Sequence, residues 1–430
     1  MTLDLFPEAP TSDLTTVDFL PTRMAGLARL EAFTSSAGRQ YASKRNYDFG
    51  PENRSNVSAL SPWIRHRLIT EEEVLANVLR GHSLSTAEKY VQEVFWRTYF
   101  KGWLEHHPSA WSSYTEGLTK DLDAVDHNAG MRSAYESALA AKTGIDCFDF
   151  WVNELIDTGY LHNHARMWFA SIWIFTLKLP WRLGADFFYR HLIDGDPASN
   201  TLSWRWVAGL HTVGKTYLAR PDNIRKYTDE RFDPRGLATD AIALEERNRP
   251  TRKPLTNAPE LDLVPTDCIG VLLFEDDLHV ASWPLPAAPV AALGVNTVGK
   301  RSPLPVSDLV RSFHHSAISE GMRLVGDMAG PDGLLEQTAS RLIDADDDDA
   351  SDQASEWATT NTLDVVALPQ PTVGPSKRMV SKLAQAIESK GIRIAFFRRH
   401  YDDAAWPNAS KGFFGLKKSI PTILQSIGDS

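Results

Sequence analysis

The pattern of apolar and polar positions divides the chain into a helical half and a half in which strands alternate with helices. Over 24–41, Leu27, Leu30 and Phe33 recur at three-residue spacing and predict a helix. An irregular stretch over 45–60 follows, and Ser61-Pro62-Trp63 opens the next helix, where proline is favoured in the first turn. Ser85-Thr86-Ala87-Glu88 has the form of a capping box, so a helix is expected from there to about His106. The acidic run 121–127 reads as a surface connection, and helical period returns over 131–158 through Phe148, Trp151, Leu155 and Ile156. The stretch 160–209 is expected to organise the rest. It predicts an aromatic helix ended by Leu179-Pro180 and a second helix through Phe187, Phe188 and His191; the turn Asp194-Gly195-Asp196-Pro197 then leads to Asn200, Trp204 and Trp206.

Beyond Gly236 the composition shifts. Residues 237–267 contain RNRPTRKPLTNAPELDLVP and read as a linker without apolar period. The short apolar runs 268–274, 363–368 and 392–397 predict buried strands, with helical segments at 304–320, 332–343 and 376–390 between or beside them. Strands alternating with helices predict a small parallel α/β domain over 268–430. The run DADDDDASD at 344–352 lacks the glycine and closing glutamate of a calcium loop and is expected to be a loop tip, so no metal site is expected.

Charge and cysteine usage narrow the classes of function. A net charge of -10 argues against nucleic-acid binding over the whole surface, though it leaves room for a local patch, and Lys215, Arg220, Arg225 and Lys226 form the best candidate. Two cysteines, Cys147 and Cys268, are too few for a disulfide framework, a structural zinc site or a four-cysteine iron–sulfur cluster, which points to a reducing cytoplasm. The start of the chain has no basic segment followed by an apolar one, and no window approaches 18 apolar residues; neither export nor membrane insertion is expected. Ten of the 13 tryptophans fall before position 207, so the two halves are expected to do different jobs.

The candidate chemistry lies in the helical half. Asn163, Arg166 and Met167 stand at i, i+3 and i+4 and share a face that should line a pocket. Asp194 and Asp196 place two carboxylates beside backbone that glycine leaves free to bend. Tyr90, Glu93 and Arg97 repeat at i, i+3 and i+7 with Trp96 beside them; by spacing alone Glu93 and Arg97 are an i,i+4 pair on an ordinary amphipathic helix. Serine hydroxyls at a helix start, as at Ser58 and Ser61, suit an anion, although Ser before Pro taken alone is simply an N-cap.

Four blocks, HNHARM (162–167), LPWR (179–182), LIDGDPASN (192–200) and WRW (204–206), together resemble the flavin-binding helical domain of the photolyase/cryptochrome family in order and spacing. The resemblance covers roughly 24–235. It implies an α-helical FAD-binding domain of photolyase type over 1–236, followed by the linker and the α/β domain, with FAD held noncovalently. By the same resemblance Tyr41, Val57, Ser58, Leu60 and Ser61 would wrap the flavin phosphates, Val57 standing where the family has a threonine and so removing one hydroxyl. Tyr90, Arg97, Arg166, Asp194, Gly195, Asp196 and Asn200 would complete the cofactor site. Asp194 and Asp196 would face the ring imide and ribose, Arg166 would be the counter-ion of Asp194, and the Asn200 amide would accept from a protonated N5.

The resemblance also implies roles for the aromatic residues. Trp204 and Trp181 match the inner members of a tryptophan relay whose outer member should fall near Asn128, where there is none; Trp111, Trp151 or Trp173 substitutes, or the relay is shorter. Glu93, Trp96, Asn163, Met167 and Trp206 would read a flipped-out pyrimidine dimer. His164 stands where many relatives have Arg. The leading expectation is a DNA photolyase acting on cyclobutane pyrimidine dimers through Glu93, Asn200, Trp181 and Trp204. The alternatives are a cryptochrome-like light receptor that binds FAD without repair, and a flavin scaffold whose C-terminal domain carries the activity. Photolyases carry their antenna-binding α/β domain at the front. Here the end of the chain resembles that fold, so a permuted antenna domain is one reading and an unrelated α/β unit the other. Strand preference, antenna chromophore and oligomeric state stay open.

Overall fold

The computed structural model describes residues 14–259, 261–328 and 339–428. The first helical stretch is two helices, α1 (Arg23–Thr34) and α2 (Arg39–Lys44), instead of one over 24–41, because Ser35, Ser36 and Gly38 are poor helix formers and interrupt it. A single turn, α3 (Ser61–Arg65), precedes α4 (Glu71–Gly81), which Thr70 and Glu73 close in a reciprocal capping box. Helix α5 (Leu84–His106) ends where expected but starts earlier, since the hydroxyl of Ser83, not Ser85, accepts from the Thr86 amide at 3.3 Å. The acidic run 121–127 is no surface connection. It is the last part of α6 (Ser109–His127), whose Tyr114, Leu118 and Val125 bury one face while the carboxylates stay on the other.

The period over 131–158 divides into α7 (Ala129–Leu139) and α8 (Asp146–Thr158). Helix α9 (Asn163–Ser171) runs into a π turn at Ile172–Thr176, and Pro180 caps α10 (Trp181–His191). Asp196 caps α11 (Pro197–Val207), with Pro197 in its first turn, and α12 (Pro221–Tyr227) is short. Helices α6 to α11 enclose an aromatic core that includes Phe148, Trp168, Phe169, Trp173 and Trp204. Residues 237–267 carry no helix or strand among the described residues, yet they lie against the helices: the Lys253 amide donates to the His106 carbonyl at 2.7 Å.

Beyond the linker come β1 (Ile269–Phe274), β2 (Ala291–Asn296), α13 (Asp308–Met328) and β3 (Ser340–Asp344), then α14 (Ala350–Thr360), β4 (Val365–Pro369), α15 (Pro375–Glu388), β5 (Arg393–Phe397), α16 (His400–Ala405) and α17 (Phe413–Gly428). The strands form one parallel sheet in the order β3-β2-β1-β4-β5. Successive side chains alternate across it: Val271 and Leu273 pack toward α13 and the helical half, Leu272 and Phe274 toward α14 and α15. Strand β2 was not legible in the residues, and the helix expected over 332–343 is strand β3 where it is described, 332–338 lying outside the described residues. The acidic loop tip is shorter than expected, because α14 begins at Ala350. Gly294 lets α13 approach β2, since a Cβ there would meet the Met322 sulfur at 2.6 Å and Ile318 at 2.8 Å.

The carboxyl ends of β1 and β5 face the helical half through a buried layer of charge. Arg65 donates to Asp276 at 2.6 Å, Arg67 donates to both oxygens of Asp402 at 2.8 Å, and Arg399 pairs with Asp277 at 2.5 Å. Helices α16 and α17 then fold back onto α5. No described helix is long and apolar enough to cross a membrane.

Candidate functional site

The turn between α10 and α11 brings the two carboxylates of the DGD sequence against cations from three separate elements. Asp194 Oδ2 accepts from Arg166 of α9 at 2.8 Å and from the Ser61 hydroxyl at 2.5 Å, while its Oδ1 is buried with no partner. Asp196 caps α11 by accepting from the Ser199 amide at 2.7 Å, and its other oxygen lies 3.6 Å from Arg97 and 3.9 Å from Arg65. Burial alone would raise this carboxyl, but Arg97, Arg65 and Lys101 outweigh it and hold Asp196 well below the usual range. The Gly195 carbonyl between them accepts from Arg65 at 2.9 Å. Asn200 donates its amide to the Ala185 carbonyl at 2.7 Å, which commits the nitrogen and leaves the oxygen as the acceptor.

A second group lies beside the first. Ala59 holds a left-handed conformation with φ 53°, and this bend sets Ser58 and Leu60 on either side of it. The carbonyls of Val57 and Ser58 are tied to Arg29 at 2.9 Å each, Leu60 precedes α3 and is buried, and Ser58 hydrogen-bonds Tyr90, whose phenol burial pushes up to about 12. Tyr41 packs edge-on against Tyr90 at 5.1 Å. Glu93 does not pair with Arg97; it pairs with Arg45 at 2.5 Å, and burial pushes its carboxyl up although Arg45 and Lys89 oppose this. Arg97 turns instead toward Asp196 and Glu71, both at 3.6 Å. Because α3 is one turn long, any anion near Ser61 would be held by hydroxyls and individual amides more than by a helix dipole.

The remaining aromatic residues belong to separate clusters. Trp96 stacks on Phe413 of α17 at 3.8 Å and 9°, and Trp206 stacks on Tyr217 at 5.7 Å. Asn163 is exposed at the start of α9, and Met167 is half-buried one turn on. Trp181 and Trp204 are both buried. His164, where the resemblance had suggested an arginine, stacks on Trp168 at 4.0 Å and bridges the Asn46 carbonyl to the Tyr217 hydroxyl. In the basic stretch, Arg220 and Arg225 are exposed and lie 3.5 Å from Asp222 and Glu230, so part of that charge is neutralised locally.

Arg65 and Lys101 escaped the residue pattern, as did Arg45. The available signal was charge inside apolar runs: PWIRHRL and FKGW place cations where a helix should be buried, and such cations need carboxylate partners. His162 was missed too. It caps α9 by accepting from the His164 amide at 3.1 Å, its Nε2 is buried without a partner, and burial lowers the imidazole to about 4 against the opposing pull of Asp48. The folded value lies below the ordinary histidine value, so this contribution to stability is complete above pH 6.5 and is lost as pH falls toward 4. Urea unfolding at pH 7 and pH 5 should therefore show His162→Asn, which keeps a capping acceptor and does not titrate, losing about 2 kcal/mol less than the parent chain. Equal losses in both would exclude His162 as a contributor.

The donor set tests well against FAD. An unpartnered buried Asp194 oxygen and an unpartnered Ser199 hydroxyl lie at the DGD turn with the Arg97 guanidinium 3.6 Å from Asp196, and they suit a large polar heterocycle bearing both N–H donors and anionic oxygens. Comparison with known proteins agrees. Residues 90–239 match the family described as the FAD binding domain of DNA photolyase. The chain is 29% identical over 195 residues to a deoxyribodipyrimidine photo-lyase of Synechococcus, covering 44% of this chain and 39% of that one. It is 32% identical over 195 residues to the Streptomyces griseus protein of the same name, covering 42% and 41%. A cryptochrome structure from Synechocystis is similar over 52% of this chain and 47% of that one, at 24% identity and a TM-score of 0.40. The chain spans about two fifths of the length of the two curated relatives.

Proposed function

Because residues 90–239 match the FAD binding domain of DNA photolyase, we propose that the chain is a member of the photolyase/cryptochrome family and repairs pyrimidine dimers in DNA by light-driven electron transfer. The observation that carries this reading is the Asp194 carboxylate, held by Arg166 and Ser61 with its second oxygen unpartnered, next to an α5 that presents Glu93. FAD, when bound, supplies absorption of blue light and single-electron chemistry. The chain's own residues do the rest. Arg166, Asp194, Asp196 and Arg97 would hold the cofactor, with Ser58, Ser61 and Tyr41 toward its phosphates, and the Asn200 oxygen would accept from the ring. Glu93, Trp96, Asn163, Met167 and Trp206 would be the residues that contact a dimer.

Glu93 supplies the test. Charge reaches a dimer only after electron injection, so a carboxyl that hydrogen-bonds its carbonyls helps the chemical step more than ground-state binding. Burial raises the Glu93 carboxyl, while its pairing with Arg45 at 2.5 Å opposes that shift. Glu93→Ala should lower the light-dependent repair yield about tenfold while leaving FAD content and DNA affinity near those of the parent. The assay uses a dimer-containing oligonucleotide, single- and double-stranded. An unchanged yield would remove Glu93 from the chemistry.

One contact supports a second reading, a cryptochrome-like receptor without repair. Phe413 covers one face of Trp96, so α17 occupies half of the aromatic surface a dimer would use. Parent protein that binds FAD yet leaves dimers untouched in light would favour that reading over the first.

A further inference from the structure

Resting on the flavin reading above, we infer that electrons enter this protein at Trp111 and reach the buried tryptophans through the ring of Tyr114. Residue 128, where an outer tryptophan would be looked for, is an exposed asparagine whose side chain caps α7 by accepting from the Met131 amide at 3.0 Å. A different line of aromatic rings leads to the surface. Trp204 meets Trp173 edge-on at 6.2 Å, and Gly184 lies beneath both: a Cβ there would stand 2.3 Å from Trp204 and 2.9 Å from Trp173. The Trp173 indole donates to the Pro180 carbonyl at 3.0 Å, one residue before Trp181. Trp181 lies 5.8 Å from Tyr114, and Tyr114 lies 5.2 Å from Trp111. Trp111 is half-buried, and its indole N–H makes no hydrogen bond among the described residues, so it is the first ring of the series that reaches water.

The Arg182 guanidinium lies 5.5 Å over Trp181 and disfavours a positive hole there, an effect that its pairing with Asp121 at 3.3 Å partly offsets. Tyr114 cannot keep the hole, because a phenol gives up an electron readily only when its proton can leave. Its hydroxyl is buried without a partner, and burial pushes its ionisation well above the ordinary tyrosine value. It therefore serves as a bridge. The other branch ends at Tyr135, 6.1 Å from Trp173, whose buried phenol is likewise pushed above the ordinary tyrosine value by burial. Trp151 is off the line, with its indole donating to Asp48 at 3.2 Å and its ring stacked on Trp168.

The balance is one electron and one proton. Trp204 would give an electron to a bound, light-excited flavin, Trp181 would refill Trp204 by way of Trp173, and Trp111 would refill Trp181 across Tyr114. The Trp111 indole then loses its N–H proton to water. An external thiol restores one electron and one proton and becomes a thiyl radical, which pairs with a second to form a disulfide.

The test compares FAD-loaded Trp111→Phe, Tyr114→Phe, Tyr114→Leu and Trp204→Phe chains under blue light with dithiothreitol, followed by mass spectrometry of peptides from samples illuminated in air without thiol. Trp111→Phe, Tyr114→Leu and Trp204→Phe should each slow flavin reduction about tenfold or more, whereas Tyr114→Phe, which keeps the bridging ring, should stay within about twofold of the parent. Oxygen adducts of tryptophan should concentrate on Trp111 in the parent and shift elsewhere or vanish in Tyr114→Leu. Chemically pre-reduced Trp111→Phe should repair at the parent rate, which a merely structural defect would not allow. Reduction at the parent rate in Trp111→Phe, or adducts confined to another tryptophan, would overturn the route while leaving the flavin reading intact. Protein that takes up no FAD would overturn the flavin reading and this inference with it.

Discussion

Replacing Asp194 and Asp196 together by Ala is expected to empty the chain of FAD and to cost the fold about 3–5 kcal/mol. The two positions act through different physics. Asp196 is the N-cap of α11, and such caps are worth about 1 kcal/mol when replaced by Ala. It also neutralises the Arg97, Arg65 and Lys101 cations, and Lys101 is buried, only 5% exposed. Removing the carboxylate leaves like charges facing each other in a poorly solvated space, where one unpaired buried charge already costs several kcal/mol. Asp194 fixes Arg166 and Ser61, so its loss frees both groups that would orient a flavin ring. The two losses share a turn and will not add simply. A double change to Asn keeps the α11 cap and should recover much of the stability but not the cofactor. The ratio of bound FAD to protein after gel filtration, with urea melts of both variants, checks this; a double-Ala chain that keeps one FAD per chain would place the cofactor elsewhere.

How much of this was legible in the residues depends on whether a feature is local. The C-terminal end of α5, the helix α10 between Pro180 and the DGD turn, and strands β1, β4 and β5 follow from period, proline and runs of branched apolar residues. Strand β2 does not: Ala291-Ala292-Leu293-Gly294-Val295-Asn296 is weak in intrinsic strand preference, and it is a strand because β1 and β3 pair with both its edges while α13 packs closely on Gly294. The run 121–127 was misjudged for the opposite reason. Its carboxylates look like a loop, but Leu118 and Val125 continue the buried stripe of α6 through them. The DGD turn was legible from its glycine and carboxylates, and its Arg166 partner followed from the family resemblance. Glu93's partner was not, since Arg45 is 48 residues away and Arg97 is the nearer cation in sequence. The same holds for Phe413 on Trp96, a contact 317 residues apart (413 minus 96) that only the folding back of α17 creates.

Arg67→Ala is expected to be the most damaging single change outside the flavin site, lowering stability by about 3–5 kcal/mol. Arg67 is buried at the junction of the two halves, in a left-handed conformation with φ 48° that turns the chain out of α3. Its guanidinium donates to both Asp402 oxygens at 2.8 Å, to Glu71 at 3.2 Å and to Asp277 at 3.3 Å. Truncation strands these carboxylates: Asp277 keeps Arg399 and Glu71 keeps the longer contact to Arg97, but Asp402 loses its bidentate partner outright. The loss is one of uncompensated charge more than of attraction. Removing Asp402 as well, in Arg67→Met with Asp402→Leu, should therefore recover part of the stability even though an ion pair has been deleted. The effect should also reach the cofactor, because Ser61 and Arg65 occupy the turn immediately before Arg67 and Arg65 itself donates to Asp276 across the same junction. Urea unfolding followed by tryptophan fluorescence, with FAD content measured on the same samples, distinguishes the cases. If Arg67→Ala melts within about 1 kcal/mol of the parent, the charge layer holds the halves together no better than an exposed ion pair. If the double variant is worse than the single, the geometry of the pair, not the stranded Asp402 charge, fixes how the α/β domain sits on α5.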